Sequence, residues 1–579
     1  MTKLILLPNE ILHHVFRQVD PVDLAHLSRS CTLLNKNIAG DGQLFKAVYC
    51  YMLDAPPESQ AKTFDYKNQL REFVKCRRIL DSSTEKPMIF NTPDEEALLF
   101  LADWTTRFLR TAHSTKSRNL GFLHAYFSRL NPKNLTRFLC HSSTWDRARL
   151  LNLNPLYETP FAVRQASAKL HVLYGKPLLK PTRNAQRKGP TVDLTPNHKD
   201  PYPYAVSKVY DLRNYTEETM WGPYLADGYA SVDWEKLEAV MLLLGYNAEV
   251  FKESVGENML PAGFSWDEGW AGATPGSYRS TDIYGSSQVE EFEEVIEGEG
   301  DEATEPVVDP YNIGGTWMRV VCFLDFHELF AYNFTNPATP TDRPRPALQT
   351  TEAIRLISME LRVTHTEPPG PDDGQELPVV FFEGISRSLH SPRDVNANSN
   401  IKGCVRLTRE GEVRWQSMSI YNGEERWRSE GIQVGGVGSA RGVLGHWFDK
   451  DHDVHGPAGP TGFYKISDQI KNYASDSDTE EPPVLDVEID DDVEDVEEVQ
   501  AFIGQLAEAI GMNMPGLHAH VHIENANNSN SDGDGGINGG GGIAGGNGTL
   551  QGILSANEHE HEAEERGYAA DRNGFSFDD

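Results

Sequence analysis

Apolar positions near the start of the chain recur at helical spacing. Ile11, Leu12, Val15, Phe16 and Val19 fall on one side of a helix. Asp20-Pro21 interrupts the pattern, and Asp23 opens a second helix through Leu24, Leu27, Cys31 and Leu34. Gly40-Asp41-Gly42 marks a turn before Leu44, Phe45 and Val48. Three short helices are therefore predicted within residues 8–52. The helical period continues through Tyr66–Leu80, Glu95–Thr111 and Leu120–Cys140. It resumes after Ser231, with Leu237, Val240, Met241 and Leu244 on one face and Gly245 as the expected C-cap.

Between Gly314 and Asp468 the period changes from helical to alternating. Candidate strands are Thr316–Phe323, Ala353–Val363, Pro378–Gly384, Ile401–Leu407, Glu412–Tyr421, Arg426–Val434, Gly442–Phe448 and Gly462–Ile466. Arg409-Glu410-Gly411 and Asn422-Gly423 fall between consecutive strands and supply hairpin turns. About eight antiparallel strands with frequent glycines predict a barrel or a sandwich. The fold class is α+β with several domains. Residues 1–52 form a helical unit, 53–253 a helical middle, 254–309 an acidic disordered loop, 310–470 an antiparallel β domain, and 471–579 a disordered acidic and Gly/Asn-rich tail. Within the tail, Val499, Phe502, Ile503, Leu506 and Ile510 fit one face of a short helix. It reads either as a docking motif that folds on binding or as a transient helix without a partner.

Charge sharpens this division. The chain carries a formal −33, of which −23 lies beyond residue 471 and −9 lies between Glu290 and Glu305. The rest is nearly neutral, so the acidity belongs to solvated segments rather than to a folded face. Such segments repel nucleic acid and anionic lipid, and neither is an expected partner. One stretch is basic: Arg164, Lys169, Lys176, Lys180, Arg183, Arg187 and Lys188 occur with no acidic residue among them. Its loop from Lys176 to Lys188 reads as a nuclear import signal, a patch for acidic substrates, or a solvated linker. Folding of the acidic tail onto it is a further expectation.

Cys31, Cys50, Cys76, Cys140, Cys322 and Cys404 form no C-x-x-C pair, which fits reduced thiols in an intracellular protein and leaves no zinc spacing. The apolar start, Leu4 to Leu7, ends at Pro8 and is too short for a signal peptide. No run reaches the roughly 18 apolar residues of a membrane span. The expected location is cytoplasm, nucleus or both.

The sharpest feature is Leu7-Pro8-x-Glu10-Ile11-Leu12-x-x-Val15-Phe16-x-x-Val19-Asp20-Pro21-x-Asp23-Leu24-x-x-Leu27, followed by Leu34 and Leu44-Phe45. It resembles the F-box pattern closely over about 45 residues, with Phe45 where that family often has tryptophan. So small a unit cannot enclose all this apolar surface alone, and it needs a partner or the adjoining helices. The resemblance implies that Leu7, Pro8, Ile11, Leu12, Val15, Phe16, Leu24, Leu27, Leu34, Leu44 and Phe45 bind a Skp-type adaptor. Through it the chain would join a cullin–RING core and present a protein substrate for ubiquitination. Three later segments, Gly314–Val321, Glu425–Gln433 and Gly456–Thr461, are similar to parts of large fungal F-box proteins. That similarity brings no binding residue with it. Gly315-Thr316-Trp317 and Gly445-His446-Trp447 are similar to segments of lipocalin-like barrels.

In the β domain, Trp415, Trp427 and Trp447 occur near Arg414, Arg426, Arg428 and Arg441. Arginine beside tryptophan suits a surface that reads acidic or phosphorylated peptides, and these seven are the candidate substrate-binding residues. The competing reading places the tryptophans in the core and the arginines on a solvated outer face. Gly435–Gly442 lacks the Lys-Ser/Thr ending of a phosphate loop and reads as a turn. Asp449, Asp451 and Asp453 have calcium-loop spacing, but Val454 and Pro460 stand where glycine and glutamate are needed, which leaves a surface acidic loop or a weak metal site. His518, His520 and His522, like His559 and His561, would need order that the tail lacks to hold a metal. Ser475, Ser477 and Thr479 stand among acidic residues and are candidate phosphorylation sites. No cofactor is expected, and no catalytic motif is found. The expected role is a non-catalytic substrate receptor. The alternatives are a ligand-binding barrel whose F-box serves outside a ligase, and an enzyme built on the β domain.

Overall fold

Helices α1 (Asn9–Phe16), α2 (Pro21–Ser30), α3 (Thr32–Ala39) and α4 (Gly42–Met52) open the chain in the computed structural model. It describes residues 7–82, 94–112, 116–128, 132–148, 159–178, 201–255, 269–280, 308–335, 340, 343–350, 352–389 and 398–470, all within the first of the chain's two contact units, Met1–Asn513. The acidic run at 290–305, the basic positions Lys180, Arg183, Arg187 and Lys188, the helix predicted at 499–510, the tail histidines and Ser475, Ser477 and Thr479 lie outside the described residues.

Four helices stand where three were predicted. Asp20 accepts a bond from the Val22 amide at 2.9 Å and caps α2, with Pro21 at its first position. Cys31 is fully extended, so the predicted helix through Leu34 breaks there, and the Leu34 amide points at the Cys31 thiol at 3.5 Å to begin α3. Asp41 accepts from the Gln43 and Leu44 amides and caps α4.

Beyond them come α5 (Glu58–Ala61), α6 (Tyr66–Asp81), α7 (Glu95–Arg110), α8 (Arg118–Tyr126), α9 (Pro132–Leu139), α10 (Ser143–Ala148), α11 (Phe161–Tyr174), α12 (Tyr202–Val209) and α13 (Trp234–Val255). The stripe expected from Leu120 to Cys140 is two helices, α8 and α9, the second beginning at Pro132. Gly245 is not a C-cap. Helix α13 runs through it to Val255, and a Cβ there would stand 2.4 Å from Pro177 Cγ. The glycine permits close packing. A left-handed cap does occur at Gly175, with φ of 79°, which ends α11.

The β domain is a closed antiparallel barrel of eight strands: β1 (Gly315–Phe323), β2 (Ala353–Glu367), β3 (Val379–Ser388), β4 (Ser399–Leu407), β5 (Val413–Tyr421), β6 (Glu424–Gln433), β7 (Val443–Asp449) and β8 (Ala458–Ser467). Each strand pairs with its successor, and β8 returns to β1, so no edge is left open. A short helix, α14 (Phe326–Phe330), follows β1. All eight predicted strands are present, and closure decides for the barrel over the sandwich.

Alternation along the strands builds two cores. Inside the barrel, Trp317, Met359, Leu361, Val380, Phe382, Val405, Val413, Trp415, Val443 and Phe463 pack together, and Tyr278, Tyr311 and Ile313 plug that end. On the outer face, Met318, Val320, Cys322, Leu356, Leu444 and Tyr464 join the helical core with α13. Leu242, Leu243 and Leu244 of α13 are fully buried, and a Cβ on Gly462 would meet Leu244 at 2.8 Å.

His446 sits in this outer layer, 3% exposed, with its ring 5.0 Å from that of Tyr215. Burial, with Lys236 nearby, holds its imidazole down to about 3, against 6.5 when unfolded. Below pH 6.5 the unfolded chain therefore binds a proton that the folded one refuses, and stability falls as pH falls. Between pH 6.5 and 5 the loss should be about 2 kcal/mol. Urea titrations of wild type and His446→Gln should show this extra slope in the wild type and not in the variant.

Candidate partner-binding face

Helix α1 divides its apolar residues between two directions. Leu12 and Phe16 are 1% and 0% exposed and belong to the helical core, together with Leu24, Leu34 and Leu44. Leu7, Ile11 and Val15 keep 38%, 49% and 39% of their surface, and Pro8 is exposed beside them. Ile11 and Val15 stand one helical turn apart, with Leu7 just before the helix, so the three make an apolar stripe on the outside of the unit. Of the eleven predicted adaptor contacts, four are thus open to a partner. Leu27 and Phe45 are partly buried, and the other five hold the helices together.

The unit is fastened to the helices behind it. Arg77 of α6 forms a two-pronged ion pair with Asp20, at 2.5 and 2.8 Å. That bond holds the Asp20 carboxyl below its usual range, against the opposing effect of partial burial. The Lys67 ammonium donates to the Ala39 carbonyl at 3.2 Å and lies over the Phe45 ring. Tyr49 packs edge-on against Phe64 and Tyr66. Asp54 accepts from the Arg118 amide at 2.9 Å and donates its own amide to Asn119. The exposed stripe therefore has a fixed direction relative to the helices behind it.

The seven arginines and tryptophans singled out in the β domain do not share one surface. Neighbouring residues on a strand point to opposite faces, so Arg414 lies outside the barrel and Trp415 inside. Trp415 is 2% exposed, and its indole donates to Gln433 at 3.0 Å. Trp447 is also interior and donates to the Cys322 carbonyl at 3.1 Å, and Trp427 packs edge-on against it at the barrel mouth. Arg414 is half-buried against Glu430 and Tyr224. Arg441 lies over Gly175, where any Cβ would collide with its guanidinium, and donates to the Leu173 and Tyr174 carbonyls. Burial lowers its pKa to about 10. Arg426 is exposed and Arg428 partly so.

Other motifs resolve as local structure. The Asp449 and Asp453 carboxylates accept backbone amides of Asp451 and His455 in the β7–β8 loop. Gly435, Gly436, Gly438 and Gly442 take positive φ in the β6–β7 turn. Among the described residues, no group of three His, Cys, Asp or Glu side chains could hold a metal, no helix is long and apolar enough to cross a membrane, and all six cysteines are free thiols.

Residues 4–51 match the F-box-like family model. No curated protein and no solved structure matches the chain. The matched stretch coincides with α1 to α4 and with the exposed stripe they carry, and on this ground residues 4–51 are an F-box-like domain.

Proposed function

We propose that this chain is a substrate-recognition subunit of an SCF-type cullin ubiquitin ligase. Its F-box-like domain would bind the Skp-type adaptor and, through it, the cullin–RING core. The observation that carries the reading is the stripe of Leu7, Pro8, Ile11 and Val15, left uncovered by the helices that bury its neighbours. In this reading those four make the contact, Leu27 and Phe45 add their partly open surfaces, and Leu12, Phe16, Leu24, Leu34 and Leu44 hold the shape.

No catalytic group is required. The receptor acts by raising the effective concentration of a substrate lysine near the charged ubiquitin carrier. The helical middle sets that distance, and ion pairs such as Lys169–Glu412 at 3.1 Å tie it to the barrel. We place substrate selection at the barrel rim, where Arg426 is exposed, Trp427 is half-buried and Arg428 is partly open. Arg414, Trp415, Arg441 and Trp447 then support that rim from behind. The site of action is the cytoplasm or nucleus, where the adaptor and cullin operate.

The test is an affinity capture of wild type beside a Leu7→Ala, Pro8→Ala double variant. Wild type should recover the adaptor and a cullin, and the variant should lose both. Recovery of neither by folded wild type would overturn the reading.

A further inference from the structure

Four arginines from three separate segments meet beside α10 and α12. Residues 343–346 read Arg-Pro-Arg-Pro, and side chains pin their carbonyls. Arg213 Nη2 donates to the Arg343 carbonyl at 3.0 Å. Arg147 and the Ser207 hydroxyl donate to the Arg345 carbonyl. The Tyr332 hydroxyl donates to the Pro346 carbonyl at 2.9 Å. This fixes the strap against the helices and leaves Arg343 exposed at its start.

The charges here do not balance. Among the described residues, Asp211 is the one carboxylate that any of the four arginines engages. Arg213 grips it at 2.6 and 2.8 Å, and Arg345 reaches it at 3.1 Å. Arg147 has no carboxylate; it lies half-buried over the Tyr204 ring, 4.9 Å from its centre. Burial holds its guanidinium below the ordinary range. Arg343 has no carboxylate either. Four cations against one anion leave a surplus of positive charge, and a partly desolvated guanidinium is normally paired. Arg164 and Lys169, by contrast, are already matched to Glu235 and Glu412.

We propose that this arginine cluster is a docking surface for the acidic run of the chain's own C-terminal segment, Asp476–Glu498. That run holds 13 acidic residues and no basic one, so its charge complements the surplus. Within it, Asp486-Val487-Glu488-Ile489-Asp490 alternates, and an extended segment of that pattern sets its three carboxylates on one side, about 7 Å apart. A row of carboxylates suits several guanidinia, each able to grip one in two prongs. The chain is also long enough. It leaves the barrel where the Gln469 carbonyl accepts from Thr316, at the start of β1. The cluster rests on Tyr332 and Asn333, which follow the opposite end of β1 through α14. The 9 residues of β1 span roughly 30 Å, whereas the 16 residues from Ile470 to Asp486 can reach roughly 55 Å. The docking is independent of the ligase reading, because no F-box residue takes part.

Zero-length carbodiimide coupling tests it on the purified full chain, since the reagent joins a lysine amine to a carboxylate in contact with it. Arg343→Lys keeps the charge and supplies the amine at an exposed position. Arg362→Lys, exposed on β2, is the control, and the native pair Lys402–Glu425 at 2.8 Å is the internal standard. Peptide mapping should show amides from position 343 to carboxylates within 476–498, at least about fivefold above those from position 362, as three exposed ion pairs together allow. The yield should not depend on protein concentration. It should collapse between 0.1 and 1 M salt, where the screening length falls from about 10 to about 3 Å. Adding Arg147→Met should lower it at least about twofold, with the Lys402–Glu425 product unchanged. No coupling at position 343 while Lys402–Glu425 couples would overturn the proposal. So would equal yields at 343 and 362, links only between copies, or a yield that neither salt nor Arg147→Met reduces.

Discussion

Replacing Ile11 and Val15 together by aspartate should weaken adaptor binding by at least a hundredfold without unfolding the chain. Both side chains are substantially exposed, so the charges cost little in the isolated protein. In a complex they would be driven into an apolar interface. Each lost aliphatic contact forfeits roughly 1.5–3 kcal/mol, and a desolvated unpaired carboxylate adds more. Two such sites exceed the roughly 2.7 kcal/mol that a hundredfold requires. The contrast is Leu12→Ala with Phe16→Ala, which empties the buried side of the same helix. Those changes should each cost about 2–5 kcal/mol of stability and reduce binding only through unfolding. Binding measured on purified adaptor, with thermal melts of each variant, separates the two cases. Equal loss of binding and stability in the aspartate variant would mean that the stripe packs within the chain.

How much of this was legible beforehand depends on how local the signal is. The apolar spacing from Ile11 to Val19 depends only on the helical repeat, so α1 could be read directly. The break at Cys31 could not, because nothing in Leu27-x-x-x-Cys31 forbids a helix, and only tertiary packing selects the extended conformer. Alternation likewise exposed all eight strands, while closure needed the β1–β8 pairing of residues some 150 positions apart. The seven arginines and tryptophans do not form one surface, for an elementary reason. Arg414 and Trp415, or Arg426 and Trp427, are adjacent on a strand and must face opposite ways. The competing view of solvated outer arginines also fails for Arg414, which lies against Glu430 and Tyr224, and for Arg441, which lies over Gly175 at the end of α11.

The second large effect is expected at Glu430, where the barrel and the helical region are joined. Its carboxylate accepts from Arg414 at 2.8 and 3.0 Å, from Gln416 at 2.7 Å, and from the Tyr224 hydroxyl at 3.0 Å. Burial works against the charge on Arg414, but Glu430 outweighs it and holds the guanidinium above its ordinary range. Glu430→Ala would strip the partner from a largely covered cation and from two further donors. The expected loss is about 3–5 kcal/mol, the usual consequence of breaking a buried pair from one side. The double variant Arg414→Met, Glu430→Met should be much less damaging than Glu430→Ala, because the uncompensated charge leaves with its partner. Chemical denaturation of the three proteins gives the comparison directly. If the double variant loses as much as Glu430→Ala, the tie lies in the directional bonds to Tyr224 and Gln416 rather than in the charge. If neither loses stability, the junction between helices and barrel rests on the apolar contact of α13 with β7 and β8 and on its other polar ties, such as Lys169–Glu412.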